Sequence, residues 1–174
     1  ATHATGVVLA GLFLALLIGL LDSVVIEESN HYRPVNFQFV RRTGPFMPSG
    51  IPDAFSFVRD VCGDSVDLDR GVGVFFDDPA IVNASALRWW IGFERSQLPL
   101  SESCRTNTSS FEISSQRALH ASLAYRTFLT PMFGPMRAYG ALKDAAAKRN
   151  IEFNVPVELY DAKVGRIFYL QFPK

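Results

Sequence analysis

Hydrophobic residues first concentrate in one run near the start of this 174-residue chain. Residues 5–21 carry no charged side chain and, apart from Thr5 and three glycines, are aliphatic or aromatic. As a helix, with a rise of about 1.5 Å per residue, the run would extend roughly 26 Å, close to the thickness of a bilayer core. Because a helix satisfies its own backbone in lipid, we expect a membrane anchor over residues 1–26, with residues 5–21 contacting lipid. A buried core helix or a cleaved signal peptide is the alternative, although no basic residue precedes the run as it would in a signal peptide.

The rest of the chain alternates between apolar and polar positions in two similar series. Residues 35–42 have the two-residue period of a strand, and residues 53–62 have the period of a short helix. The order strand, helix, strand, strand begins again at residue 117. This pattern predicts an α+β domain of two βαββ repeats, with an antiparallel sheet and its helices packed on one face. Its parts would be a linker (27–34) and a domain (35–174) made of repeat one (35–95), an exposed loop (96–116) and repeat two (117–173).

Charge and cysteine content restrict the possible functions. Lys+Arg and Asp+Glu both number 17, so the formal net charge is zero, whereas nucleic-acid-binding proteins usually carry a basic surplus. We therefore expect no nucleic-acid partner. Cys62 and Cys104 lack the spacing of zinc ligands, and we expect neither a metal site nor a cofactor. Free thiols are the favoured interpretation of the two cysteines, and a disulfide between them is left open.

Three short motifs occur in a characteristic order, "GVFFDDPAIV", "LRWWIGF" and "VPVELYD". With the segments between them they resemble GyrI-like domains, an SHS2-type family of duplicated βαββ modules that bind small molecules. The resemblance covers about residues 34–173. Within this group the chain is most similar to the membrane-anchored, testis-expressed ER-phagy receptor family, in which a hydrophobic segment also directly precedes the domain. The long acidic tail of that family has no counterpart in these 174 residues.

The resemblance implies a ligand cleft centred on Glu158. In GyrI-like domains the strand glutamate receives cationic or polar ligands, and burial among aromatic residues would raise its pKa. A solvated strand glutamate is the alternative. Tyr160 shares the face of Glu158 and could supply a hydroxyl, while Trp90 and Tyr125 could stack on a ligand or simply pack. His120, a lone strand histidine, is interpreted as structural.

The acidic turn "FFDDP" would lead into the strand that lines this cleft. Asp77 or Asp78 would fix the turn through an Asx-type hydrogen bond, and Pro79 would prevent further strand pairing. On the next strand, alternation places Trp89 in an all-apolar set, which is typical of a core. It places Trp90 with charged residues, and we expect this ring to face the cleft or a partner.

These features favour a non-enzymatic interaction module, an accessory or structural subunit whose partners are protein subunits of an organellar membrane complex. One alternative is an ER-anchored adaptor. Another is a small-molecule sensor or hydrolase using Glu158 with Trp90, although one glutamate without a second placed acid or base is weak support for catalysis. Arginines after the apolar run favour a domain on the matrix or cytosolic side of the mitochondrial inner membrane or the endoplasmic reticulum. The glycosylation sequons at Asn83 and Asn107 matter only if the domain is luminal.

Overall fold

The computed structural model describes residues 23–114, 116–125, 130–152 and 155–173. Its strands and main helices, in chain order, are β1 (Val25–Tyr32), β2 (Val35–Thr43), α1 (Gly50–Cys62), β3 (Val66–Phe75), β4 (Arg88–Arg95), α2 (Glu102–Asn107), β5 (Ser109–Ile113), β6 (Gln116–Ala124), α3 (Thr130–Arg149), β7 (Val157–Asp161) and β8 (Arg166–Gln171). The strands form one sheet in the order β1-β6-β8-β7-β3-β4-β2-β5. Each neighbouring pair is antiparallel, so the predicted α+β class with an antiparallel sheet is confirmed.

The sheet combines two units with the same element order, β2-α1-β3-β4 and β6-α3-β7-β8. Each unit occupies three adjacent positions, β3-β4-β2 and β7-β8-β6, and the units meet where β3 pairs with β7. β5 and β1 extend the sheet at its two ends, beside β2 and β6. Residues from both units therefore come together at the central β3–β7 pair.

The two long helices cover the same face of the sheet. In α1 the buried residues Ala54, Val58 and Cys62 recur every four positions, which places them on one side of the helix. They share a buried cluster with residues of β4, and Leu142 of α3 shares another with Ile167 of β8. We call this side of the sheet the helix face.

The opposite side, which we call the open face, is also largely buried. Val35 and Phe37 of β2 belong to the same buried cluster as Ala118 of β6 and Leu170 of β8. β2 and β6 lie near opposite ends of the sheet order, so the sheet curves to bring them together over this cluster.

An edge strand occupies most of the segment predicted as a linker. β1 pairs with β6, so the linker over residues 27–34 is corrected, as is the extension of the anchor to residue 26. The polar residues in the middle of β1 conceal the strand, because they are held by backbone pairing and by polar side-chain contacts. Glu28 forms an ion pair with Arg117, and Glu27 Oε2 lies 3.0 Å from Nε2 of His120.

The exposed loop predicted over residues 96–116 is corrected as well, because it contains α2 and β5. Ser101 caps α2, and its hydroxyl accepts a hydrogen bond from the backbone N–H of Cys104 at 3.1 Å. β5 pairs with β2 and buries only Ile113. With a single buried apolar position, the strand has the composition of a loop.

A disulfide joins Cys62, at the end of α1, to Cys104 in α2, with 4.4 Å between the Cα atoms. The prediction of free thiols is therefore wrong. The two cysteines are 42 positions apart, and this separation carries no information about their distance in space. Packing of α2 against α1 brings them together.

Of the residues that the structure describes, none lies in a helix long and apolar enough to cross a membrane. The anchor predicted over residues 1–26 falls mostly on residues 1–22, which are outside the described residues.

Candidate functional site

Glu158 lies on the helix face at the junction of the two units. Register places it opposite Gly73 of β3 on one side and Tyr169 of β8 on the other. The Tyr139 hydroxyl of α3 donates a hydrogen bond to Glu158 Oε1 at 3.0 Å. The Tyr160 hydroxyl, two residues along β7, donates to Oε2 at 2.5 Å. The structure thus brings together Glu158 and Tyr160, as their spacing on one strand predicts.

Burial dominates the electrostatics of this carboxyl group. Glu158 is 3% exposed, and loss of hydration raises its pKa from 4.5 to about 7, although hydrogen bonds from Tyr160 and Tyr139 partly counter the shift. Burial, with the nearby Glu158 charge, also raises the pKa values of the Tyr139 and Tyr160 hydroxyls. Both phenols therefore remain protonated donors at neutral pH, while Glu158 exchanges its proton close to neutrality.

A third tyrosine completes the surroundings of the carboxyl group. Burial, followed by the charge of Glu158, raises the pKa of Tyr169. Its buried hydroxyl has no hydrogen-bond partner among the described residues. Gly134 of α3 lies directly over it, and a Cβ at that position would be 2.2 Å from the hydroxyl oxygen. A glycine is therefore required for α3 to lie this close to the ring.

Two glycines of β3 leave room for aromatic rings beside the carboxyl cluster. Gly71 is opposite Tyr160, and a Cβ there would be 3.0 Å from the Phe55 ring of α1. Gly73 is opposite Glu158, and a Cβ there would approach the Phe75 ring to 2.9 Å. β3 thus has no side chain at the two positions that pair with Glu158 and Tyr160, and the rings of Phe55 and Phe75 occupy the space there.

This arrangement can hold a proton or, if α3 moves away, a cation beside aromatic rings. Tyr139 and Tyr160 are the groups that hydrogen-bond to Glu158, and protonated phenols are poor bases. A cluster of acidic, histidine or cysteine side chains suited to a metal ion is absent from the described part of the chain.

Trp90 and Tyr125 do not lie with Glu158. Gly73 is opposite both Glu158 and Ile91, so Glu158 shares the face of Ile91, whereas Trp90 points to the open face. Tyr125, which is 43% exposed, follows the end of β6. It is four residues beyond Ala121, which pairs with Tyr169, or about 13 Å along the strand.

Trp90 belongs instead to an aromatic group on the open face. It is half-buried and stacks on Phe39 with 4.4 Å between ring centroids. The Phe111 ring of β5 meets it edge-on at 5.6 Å, and the Arg41 guanidinium lies 5.5 Å from its centroid. Trp89, by contrast, is 2% exposed on the helix face, and its ring nitrogen donates to Gly44 O at 3.0 Å.

The acidic turn uses its two aspartates differently. Asp78 Oδ1 accepts the backbone N–H of Ala80 at 2.8 Å, which is an Asx-type hydrogen bond. Asp77 accepts bonds from the backbone N–H and the guanidinium of Arg88, the first residue of β4. The hydrogen bond with Arg88 lowers the pKa of Asp77. Together with Pro79 these residues shape the β3–β4 connection.

A concavity lies on the open face over the β3–β7 pair, with a volume of about 110 Å³. Its charged groups are mutually paired. The Arg33 guanidinium donates to both oxygens of Glu94, at 2.6 and 2.8 Å. Arg70 lies 3.4 Å from Glu94 and 3.6 Å from Asp161. This network is explained by ion pairing, and it leaves Glu158 as the stronger candidate site.

Comparisons with known proteins identify the fold and no more. No protein family description matches this sequence, and no curated protein is similar to it. A hydrolase from Listeria innocua is similar in structure over 86% of this chain and 91% of its own, with a TM-score of 0.60 and 6% identity. An integron cassette protein from the mobile metagenome of Vibrio cholerae is similar in structure over 88% of this chain and 97% of its own, with a TM-score of 0.52 and 13% identity. The EcmrR C-terminal domain is similar over 87% of this chain and 96% of its own, with a TM-score of 0.55 and 11% identity.

Sequence reasoning missed two members of the cluster, Tyr139 and Tyr169. Tyr139 falls in the apolar stripe of α3, where the sequence pattern gives a tyrosine the role of a core residue and indicates no partner for its hydroxyl. Tyr169 falls in the closing hairpin among apolar residues. A tyrosine in an otherwise apolar stripe, with a buried glutamate on a nearby strand, is the signal that could have found Tyr139.

Proposed function

We propose that this chain is a non-catalytic interaction module of the GyrI-like type, an accessory subunit of a protein complex in an organellar membrane. The observation that carries the proposal is the closure of the Glu158 site. The residue is 3% exposed, and both carboxyl oxygens accept tyrosine hydroxyls. An enzyme must admit its substrate and place a second acid, base or nucleophile beside it. Within the described ranges, Glu158 has tyrosine hydroxyls as its hydrogen-bond partners instead.

The comparisons support the GyrI-like part of the proposal through the fold. The structural neighbours cover nearly the whole domain, and the two units repeat the βαββ order of that family. The hydrolase activity of the Listeria innocua protein is not transferred, because 6% identity does not carry residue roles between proteins. The membrane location is supported by the composition of residues 5–21.

The open face offers a surface suited to a protein partner. β5 is the last strand of the sheet order, so its outer edge carries backbone groups that another chain could pair with. Phe111 of β5 is 46% exposed and lies against the half-buried Trp90. Aromatic residues next to arginine, here Arg41, are enriched in protein–protein interfaces.

Native purification in mild detergent tests this proposal. We expect the full chain to run in a stoichiometric complex that survives Glu158→Gln and is lost on Phe111→Asp. Leu98→Asp is the matched control, because Leu98 is also an exposed apolar residue, 54% exposed, but belongs to the segment after β4 and not to β5. A chain that runs alone, or a complex equally insensitive to both aspartate substitutions, would contradict the proposal.

A small-molecule sensor is the second candidate, and one observation favours it. Glu158 is an ionisable group titrating near pH 7 inside an aromatic enclosure, with the unpaired Tyr169 hydroxyl beside it. The ligand of such a site would be an aromatic or lipophilic cation, attracted by the carboxylate and the ring faces. Calorimetric titration with tetraphenylphosphonium and rhodamine 6G tests this candidate. Binding that is lost in Glu158→Gln but retained in Glu112→Gln, an exposed glutamate of β5, would support it; no binding, or equal binding to both, would reject it.

A further inference from the structure

We propose that Asn83 and Asn107 are N-glycosylation sites and that the domain lies on the luminal side of a secretory-pathway membrane. Two independent observations point to this. The disulfide between Cys62 and Cys104 indicates an oxidising compartment, and both sequon asparagines are exposed in the folded domain.

The disulfide outweighs the charge pattern that favours the cytosolic or matrix side. Cytosolic and matrix thiols are kept reduced, so a disulfide that joins two helices of the core is expected in a lumen or outside the cell. Cys62 and Cys104 are 3% and 0% exposed, and both pack in the buried cluster under α1. The bridge is thus part of the folded core. The charge bias rests on a few arginines after the apolar run and is correspondingly weak.

Asn83 lies in the connection between β3 and β4, immediately before a short 3₁₀ turn. Its Oδ1 accepts the backbone N–H of Ser85 at 3.0 Å and the Ser85 hydroxyl at 2.9 Å. The carbonyl end of the side-chain amide therefore holds the turn. A glycan on Nδ2 would leave these bonds intact, so the folded turn tolerates the modification.

Asn107 is the last residue of α2, three positions after the disulfide cysteine Cys104. Its Nδ2 donates to the Ser103 carbonyl at 2.8 Å. A glycosylated amide nitrogen keeps one N–H, so this bond can also persist after modification. The sequon serine, Ser109, is the exposed first residue of β5.

The reaction requires one co-reactant, an oligosaccharide linked to a lipid through pyrophosphate. The asparagine Nδ2 forms a bond to the anomeric carbon of the first sugar and loses one proton. The bond from that carbon to the phosphate oxygen breaks, and the lipid pyrophosphate leaves with the electron pair. No oxidant or reductant is consumed, and the transferase of the lumen supplies the catalysis.

Expression of the full chain in mammalian cells tests the proposal. We expect peptide N-glycosidase F to increase the electrophoretic mobility of the chain by two steps. Ser85→Ala and Ser109→Ala should each remove one step, whereas Ser85→Thr and Ser109→Thr, which preserve the sequons, should keep both. Peptide mapping should find aspartate at positions 83 and 107 after enzyme treatment, which locates the glycans without relying on any variant.

Alkylation of cysteine before and after reduction separates the possible failures. Thiols that resist alkylation until reduced, together with glycosidase-dependent mobility, are the expected result. Blocked thiols with no mobility change would overturn the glycosylation sites and indicate an oxidising compartment without glycan transfer. Freely alkylated thiols with no mobility change would overturn both the sites and the luminal location.

Discussion

The two βαββ units share their element order but fill the space beneath their helices differently. Under α1 the buried cluster is apolar and aromatic, and on β3 the positions facing the helices beside β7 are Gly71 and Gly73. Under α3 the facing residues of β7 are Glu158 and Tyr160, joined by tyrosines from α3 and β8. Since one unit forms this architecture without a buried carboxyl group, the architecture does not require one. The carboxyl cluster therefore belongs to the candidate site and is not a requirement of the fold. Burying it lowers the free energy of unfolding of the domain.

The largest effect on stability should come from the first unit, β2-α1-β3-β4, whose buried cluster is apolar. Trp89→Ala should lower the free energy of unfolding by about 3–5 kcal/mol, because the ring is fully buried and its nitrogen is hydrogen-bonded. Trp90→Ala, in the half-buried open-face group, should cost about 1–2 kcal/mol. Urea denaturation of the two variants measures the difference, and equal losses would contradict the assignment of the two rings to different faces.

The disulfide should contribute nearly as much to the stability of the same unit. Replacing both Cys62 and Cys104 by alanine should lower the free energy of unfolding by about 2–4 kcal/mol, because the unfolded chain gains freedom. Thermal denaturation with and without a reductant checks this. The reductant should destabilise the wild type and leave the double variant unchanged; a wild type indifferent to reductant would show that the bridge does not form.

The stability of the second unit, β6-α3-β7-β8, which contains Glu158, should depend on pH. The raised pKa of Glu158 means that, between pH 4.5 and about 7, the folded protein keeps a proton that the unfolded chain releases. The contribution of Glu158 to stability should therefore fall as pH rises through this window and be constant outside it, with a total loss of about 3 kcal/mol. Glu158→Gln should remove this slope and be the more stable form above pH 7. Urea denaturation across this pH window measures the free energy of unfolding of the wild type and of Glu158→Gln. Parallel curves for the two proteins would contradict the raised pKa of Glu158.

The smallest effect distinguishes two tyrosines of the same cluster. Tyr169→Phe removes a hydroxyl with no partner among the described residues, so stability should stay the same or rise by up to about 1 kcal/mol. Tyr139→Phe removes a hydrogen bond to Glu158 and should lower stability by about 1 kcal/mol or more above pH 7. Denaturation at pH 8 compares them, and the opposite ranking would show that Tyr169, not Tyr139, supports the carboxylate.

The regular strands of this molecule could be predicted from the sequence because their apolar and polar side chains alternate. The spacing of Glu158 and Tyr160 predicts a shared face on any strand, and the same alternation separates Trp89 from Trp90. Which face of β7 corresponds to which face of β4 depends on the register through Gly73, and no local pattern contains that register. The suggested pairing of Glu158 with Trp90 failed for this reason.

Elements held by backbone pairing or by covalent bonds could not be predicted from the sequence. β1 and β5 are edge strands with few buried apolar side chains, so their sequences have the composition of linkers and loops. The approach of Cys62 to Cys104 depends on how α2 packs on α1. In α3 the apolar residue Met136 is 79% exposed, whereas Ala138 and Leu142 are buried, and apolar character alone does not distinguish them.

The titration of the Glu158 carboxyl group, followed by carbon-13 NMR of the side chain, tests most directly whether the site is closed. The Glu158→Gln variant assigns the resonance by its disappearance. A closed site predicts a midpoint at about pH 7, set by burial and moderated by two phenol donors. A midpoint near the ordinary value of 4.5 would mean that water reaches the carboxylate, and the account of a closed site would be contradicted.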